Sequence, residues 1–386
     1  MGKLQINLRR AARWAASALL APTLPYGGQA AIEGVMMKGT EMAALAVRRT
    51  DGRIQVLDRE AKVRFPALVK LPFVRGFFVL WDMMTLGMWA IRESSKRFES
   101  DMLAQEAAEK RQKRIDAGEI PADDTPGEGG DSAPPEEKPL PAWVQGLTIA
   151  GSLVIALFIF KVLPAMAASG VFGLVGWEKL SEIPEPTLGQ QFLANLIEGL
   201  IKLGIFIGYI WLVGRIKEIA RVFAYHGAEH IVINAYEHDQ DNQDIGFIQS
   251  HTTAHPRCGT SFIVILILLS IVLFTVFDWA LVSLLPHLVV DNIPVWYLRW
   301  PLRILALPVL AGLSYEVIKA AFKFYGKPVI TPLLKFGMLF QQLTTRVPDA
   351  SQIEVSLASF NRARFLTEEI PEPEFPAREL IDENAG

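Results

Sequence analysis

Four apolar runs, each close to the length of a membrane crossing, constrain this chain more than any other feature in it. They cover about Trp143–Leu163, Phe192–Val213, Ser261–Leu285 and Leu302–Phe322. Roughly 20 apolar residues wound as a helix cross about 30 Å of hydrocarbon. The composition agrees: 51% of residues are hydrophobic, with 22 Phe and 9 Trp. The expected fold class is therefore mainly α, a multi-pass membrane helix bundle of about four transmembrane helices with a small cytoplasmic β-hairpin element. The lipid bilayer is its expected partner. A net charge of -3 gives no ground for a nucleic-acid partner.

The basic residues orient the bundle. Lys and Arg gather before the first run, after the second (Arg215, Lys217, Arg221) and after the fourth (Lys319, Lys323, Lys327). The 164–190 connection has Lys179 alone against several acids. By the positive-inside rule both termini and the 214–260 segment are cytoplasmic. Arg299 and Arg303 run against the outside placement of the 287–300 loop.

Around the bundle the chain divides further. Residues 1–98 form a cytoplasmic or interfacial region. Its first 25 begin basic (Lys3, Arg9, Arg10, Arg13) and turn apolar, with Pro22 and Pro25 following and no clean small-x-small site. That pattern favours an amphipathic surface helix over a signal peptide. A glycine-rich stretch, 26–39, suits tight turns and close backbone approach. Ala43–Arg49 and Arg53–Glu60 read as two strands around Asp51-Gly52, a hairpin turn pair. Leu71–Arg92 is apolar enough to span, but Arg75 and Asp82 interrupt it. An interfacial or re-entrant helix is preferred there, with a true span as the alternative. Residues 99–141 pass from charged, helix-like sequence to Pro, Gly, Asp and Glu, an acidic linker that cannot build a core. The bundle occupies 142–322 and carries the 214–260 loop. A cytoplasmic helical tail fills 323–386, with helices expected at Thr331–Leu343 and Ala350–Leu366.

The chemistry concentrates in the loop. The chain has six histidines and one cysteine, and five of those histidines and Cys258 fall between 226 and 258. A lone cysteine excludes an internal disulfide framework. His226-Gly227-Ala228-Glu229-His230 fits H-x-x-E-H, which puts two imidazoles on one helical face with a Glu beside them. Zinc hydrolases use this set: two His ligands, and a Glu that takes a proton from water. A third ligand comes from His255 or Cys258 in His255-Pro256-Arg257-Cys258, imidazole and thiolate both suiting zinc. Glu33, Glu237 and Glu316 are additional candidates; Glu33 reads first as a salt-bridged or solvated turn residue and second as a site carboxylate, and Glu316 could equally pair with Lys319 at i,i+3. His238 and His251, in a polar stretch, read as solvated.

Several of these segments resemble the YqhQ-like family of bacterial multi-pass membrane proteins. They are Gly27–Met37, Tyr225–His230 with Asn234–Glu237, His255–Phe262, Ser314–Glu316, and Leu343–Asp349 with Gln352–Val355. The resemblance implies a bacterial inner (plasma) membrane location and a metal-dependent enzyme without naming a substrate, and it supports Glu33, His226, Glu229, His230, His255 and Cys258 as a site.

The expected function is a membrane-embedded, metal-dependent (zinc) enzyme, a hydrolase in its sharper form, working at the cytoplasmic membrane face. Glu229 is its general base and His226, His230, His255 and Cys258 its ligand candidates. The alternative is a non-catalytic membrane scaffold or assembly factor with a structural His/Cys site. A solute carrier fits least, because the polar groups in the runs (Glu198, Lys202, Asp278) do not cluster.

Overall fold

The computed structural model describes residues 26–61, 63–117, 119, 142–174, 188–255, 258–284, 289–290, 293–294, 296–323, 327–328, 330–368 and 378–381. The expectations for residues 1–25, for most of the acidic linker and for the last residues of the tail lie outside them.

Among the described residues the chain is mainly α-helical, with one five-stranded sheet and a separate two-stranded hairpin. Strands β1 (Gly27–Ala31), β2 (Gly34–Lys38), β3 (Met42–Arg48) and β4 (Ile54–Glu60) form an antiparallel meander. β3 and β4 are the expected hairpin. β1 and β2 come from the glycine-rich stretch, where turns alone were expected. The Ile32-Glu33 turn joins them, with Glu33 in the left-handed region at φ 50°.

Both faces of the sheet are covered. Alternation along β2–β4 sends Val35, Met37, Ala44, Ala46 and Val56 to one side, and Met36, Leu45, Val47 and Leu57 to the other. The second side packs on α1 (Arg75–Asp116) through Leu86, Trp89 and Ala90. This helix has 42 residues. It carries the expected interfacial stretch and continues through the charged sequence to Asp116, so the linker begins later than residue 99.

The apolar helices follow. These are α2 (Ala142–Leu157) and α3 (Leu163–Leu174), joined by a π-turn, then α4 (Leu188–Val213). The π-turn, Phe158–Val162, lies just ahead of Pro164, whose ring removes a helical amide. After α4 come α5 (Lys217–His238) and the short α6 (Ile245–Gln249), then α7 (Gly259–Leu284), a two-stranded hairpin (β5 Val289–Val290, β6 Ile293–Pro294), α8 (Trp296–Leu305) and α9 (Leu307–Lys323). The tail supplies α10 (Ile330–Thr344), α11 (Ala350–Glu368) and β7 (Arg378–Ile381), which pairs parallel to β4.

Four spans were expected. Among the described residues one helical stretch, Phe192–Val213, is long and apolar enough to cross a membrane. Gly146–Phe160 and Phe262–Phe277 are shorter apolar helices. The run over Leu302–Phe322 is interrupted at Ala306, two residues before Pro308, and carries Arg303, Glu316 and Lys319.

The first face of the sheet packs on α5 and α11. Tyr225, Ile231, Ile233 and Ala235 of α5 meet Ile353, Val355, Ala358 and Phe360 of α11 in one buried cluster. The Ser359 hydroxyl donates to the Ala44 carbonyl at 2.8 Å, and Arg362 pairs with Asp58. Helix α5, the carrier of H-x-x-E-H, is therefore clamped between a sheet and a second helix.

Candidate metal centre

His226 and His230 lie one turn apart on α5, with ring centroids 4.4 Å apart. Each donates its Nδ1 hydrogen to a backbone carbonyl: His226 to Thr344 at 2.9 Å, and His230 to Thr253 at 2.5 Å. A carbonyl can only accept, so in the neutral rings the proton sits on Nδ1 and the Nε2 lone pair faces the other way. Metal-binding histidines are oriented by this kind of outer hydrogen bond.

Cys258 completes the set. Its Sγ lies 3.2 Å from His226 Nε2. One ligand atom from each of His226, His230 and Cys258 lies within 4.8 Å of the other two. Tetrahedral zinc with nitrogen and sulfur ligands spaces its donors about 3.5 Å apart. His230 is fully buried, and its Nε2 has no hydrogen bond of normal geometry among the described residues. A buried lone pair facing a thiol, with a second imidazole beside it, is what a soft divalent cation would satisfy, so these residues fit one.

Glu229 sits against this trio from inside. It is 5% exposed, and the Gly28 amide of β1 hydrogen-bonds its carboxylate. A side chain at position 28 would not fit: its Cβ would stand 2.9 Å from Glu229 Cγ and 2.6 Å from the Met36 carbonyl. Burial pushes the Glu229 carboxyl up to about 7, against the pull of His226 and Gly28, with Cys258 adding to the rise. Burial lowers His230, and the neighbouring thiol pulls it part of the way back. Burial also lowers His255, to about 4, with His226 contributing. His230 and His255 are thus neutral at pH 7, the form in which imidazole binds metal.

His255 is buried behind the trio, its ring 5.6 Å from that of His230. Its Nε2 lies 3.8 Å from Glu237 Oε1 rather than beside Cys258. Of the two residues offered as a third ligand, the fold brings Cys258 to the histidine pair and sets His255 and Glu237 beside each other. Glu33 and Glu316 lie elsewhere. Glu33 makes a two-pronged ion pair with Arg221, one bond at 2.6 Å, and accepts from Tyr225 at 3.3 Å. Glu316 holds Arg75 through two bonds of 2.6 Å. His238 and His251 face each other with centroids 5.6 Å apart, away from the trio.

Three supports carry no signal in the H-x-x-E-H pattern. Gln341 of α10 accepts from the His255 amide at 2.8 Å and donates to its carbonyl at 2.7 Å. Asn234, one turn beyond His230, donates to the Thr252 and Ala254 carbonyls at 2.7 and 3.1 Å. Gly227 lets the chain after α10 lie directly on α5, where the Arg346 amide donates to the Phe223 carbonyl at 2.9 Å. The loop before α7 and the end of α10 are thereby locked to the histidine helix.

Fold and site together define a class: a mainly helical protein in which a small two-sided sheet buries a helix bearing a His/His/Cys trio and a carboxylate. The family described as "Protein of unknown function (DUF1385)" matches residues 71–365. The "Uncharacterized protein YqhQ" of Bacillus subtilis (strain 168) is 32% identical over 353 residues, covering 90% of this chain and 96% of that protein. The chain belongs to this YqhQ-like family. No solved structure matches it.

Proposed function

We propose that this is a multi-pass membrane protein with a divalent-metal site, most simply zinc, that works as a hydrolase at the cytoplasmic membrane face. The observation that carries the reading is the paired outer hydrogen bonding of His226 and His230, which aims two Nε2 lone pairs toward the thiol of Cys258. Those three residues would hold the ion. A bound divalent cation supplies Lewis acidity, polarising a carbonyl or phosphoryl oxygen. Glu229 is the base: a carboxyl pushed up to about 7 can both take and return a proton near neutral pH. The Gly28 amide holds its carboxylate in place, and the surrounding core keeps bulk water from it.

Membrane placement is supported by Phe192–Val213 and by the shorter apolar helices around it. Cys258 is the residue immediately before α7, so a site built on it lies at the cytoplasmic end of that helix in the proposed orientation.

One observation favours a second reading, a structural clamp. The trio joins α5 to the loop before α7, and the Thr344 carbonyl brings in the end of α10, so an ion there would tie three segments together. Elemental analysis of the full chain in detergent tests the site: about one zinc per chain is expected, lost in His226→Ala and in Cys258→Ala. A folded protein without metal sinks both readings. Glu229→Gln separates them when a panel of carboxylic and phosphoric esters is offered. A hydrolase keeps its metal and loses turnover; a clamp shows no turnover in either form.

A further inference from the structure

The N-terminal half of α1 has two apolar faces, and the sheet uses one of them. Leu86 and Trp89 are buried against it, at 6% and 7% exposure. Trp81, Met84, Met88 and Ile91 follow helical spacing on the opposite side. They are 48%, 69%, 62% and 37% exposed. Just upstream, Val63, Phe65, Leu71, Phe73 and Val74 are exposed as well. Phe65 packs on Phe78 at 5.0 Å and Phe77 on Trp81 at 6.1 Å, so the lead-in segment and the helix make one surface.

The fully exposed charges along this surface are of one sign. Among the described residues of 61–98, Arg64, Lys70, Arg92 and Lys96 are exposed. The carboxylates of that stretch are Asp82, half-buried, and Glu93, buried and paired with Lys96 and Arg97 at 2.8 and 2.9 Å. An apolar stripe with a cationic rim suits an anionic lipid surface. A second copy docked through the same face would set cations against cations. The surface also begins at the bundle. Glu316 of α9 takes Arg75 in its two-pronged pair and accepts from the Phe73 amide at 3.3 Å, which fastens the head of α1 to the apolar helices.

We propose that residues 63–91 form a membrane-docking platform, with the Trp81/Met84/Met88/Ile91 stripe lying in the headgroup region of an anionic leaflet, about 5–10 Å into its boundary. The sheet module, packed on the inner face of this same N-terminal half of α1, is then held against the membrane surface instead of hanging from the bundle. The inference rests on the bilayer reading of the bundle and is independent of any metal.

The test uses the full chain in vesicles of phosphatidylglycerol and phosphatidylcholine containing an apolar, carbene-generating lipid probe, with labelled peptides mapped by mass spectrometry. Peptides from 192–213 and from 77–92 are expected to label, and those from 99–116 to stay clean. Met84→Glu with Met88→Glu, on an exposed face that the fold does not use, is expected to remove the 77–92 label and leave the 192–213 label. Vesicles of phosphatidylcholine alone are expected to weaken the first and not the second. A labelled 192–213 with an unlabelled 77–92 overturns the platform and leaves the bundle standing. Absence of both labels overturns the bilayer reading and the platform with it. Cross-links between copies at 81–91 without lipid label overturn the platform and give the face to a second copy.

Discussion

The sheet module and the apolar helices bury side chains by opposite rules. In the module, β3 runs between two layers and Ala43–Val47 are buried on both faces. Many of its polar groups are matched inside the chain: Asn234 to two carbonyls, Gln341 to the amide and carbonyl of His255, and Ser359 to Ala44. In the apolar helices large side chains point outward, among them Leu153, Val154 and Ile155 of α2, Trp211 and Leu212 of α4, and Leu305 and Val309. The module is therefore stabilised mainly by its own packing, while the apolar helices depend on what surrounds them. The candidate site has its histidines and Glu229 in the first kind of region, with Cys258 reaching it from the start of α7. Its geometry is set by close backbone approach, which lipid does not supply.

That contrast can be broken at Gly227. A Cβ there would stand 2.0 Å from the Arg346 carbonyl oxygen, a backbone atom with nowhere to yield. Gly227→Val is expected to force α5 away from the chain after α10, costing about 3 kcal/mol or more in overpacking and taking His226 from Thr344. Hydrogen exchange in detergent should quicken across 224–236 while 192–213 keeps its protection. Equal loss in both regions would mean that they fold as one unit and that the comparison fails.

A smaller change sharpens the same contrast. Gln341→Leu keeps the volume of a buried side chain but takes the Gln341 partner from the His255 amide and leaves the His255 carbonyl with the Cys258 amide at 3.3 Å, a loss of about 1–3 kcal/mol. The expected result is a lower melting temperature and weaker metal retention, because His255 and the loop leading to Cys258 lose their tie to α10. Gln341→Glu, which still accepts from the His255 amide, should recover part of the loss.

What the sequence made legible follows from the kind of signal each feature carries. The β3–β4 hairpin was announced by Asp51-Gly52, and α10 and α11 by their periodicity. The His/Cys cluster stood out because those residue types are rare in this chain. β1 and β2 were hidden: glycine and methionine read as turn and core, and strands covered on both faces lose the alternation that marks a half-buried strand. The full length of α1 was masked by composition, since Glu99–Arg114 resembles linker until Asp101 is seen pinned to the sheet by Arg49. Within the site, Thr253 and Thr344 act through backbone carbonyls, which have no residue signature. Glu33 and Glu316 have the right chemistry for ligands, but Arg221 and Arg75 lie 188 and 241 residues away from them, and only the fold shows those pairs.

The smallest expected effect belongs to that pin, and it tests whether the charged half of α1 is part of the module at all. Burial pushes the Asp101 carboxyl up, but the Arg49 guanidinium and the Thr50 amide, which donates at 3.0 Å, more than offset it, with Asp51 opposing them, so the net shift is downward. A carboxyl whose value is lower in the folded chain than in the unfolded one, about 3.9, adds stability that is fully present above the unfolded value. That contribution is lost as pH falls through the lower folded value. Asp101→Asn removes it at every pH. The melting-temperature gap between wild type and Asp101→Asn should therefore be steady near neutral pH, begin to close below about pH 4, and vanish as the wild-type carboxyl protonates. A gap that is absent at neutral pH would mean that α1 beyond Glu93 stands apart from the sheet in solution. A gap that persists unchanged in acid would mean that Asp101 acts through shape and hydrogen bonding and not through its charge.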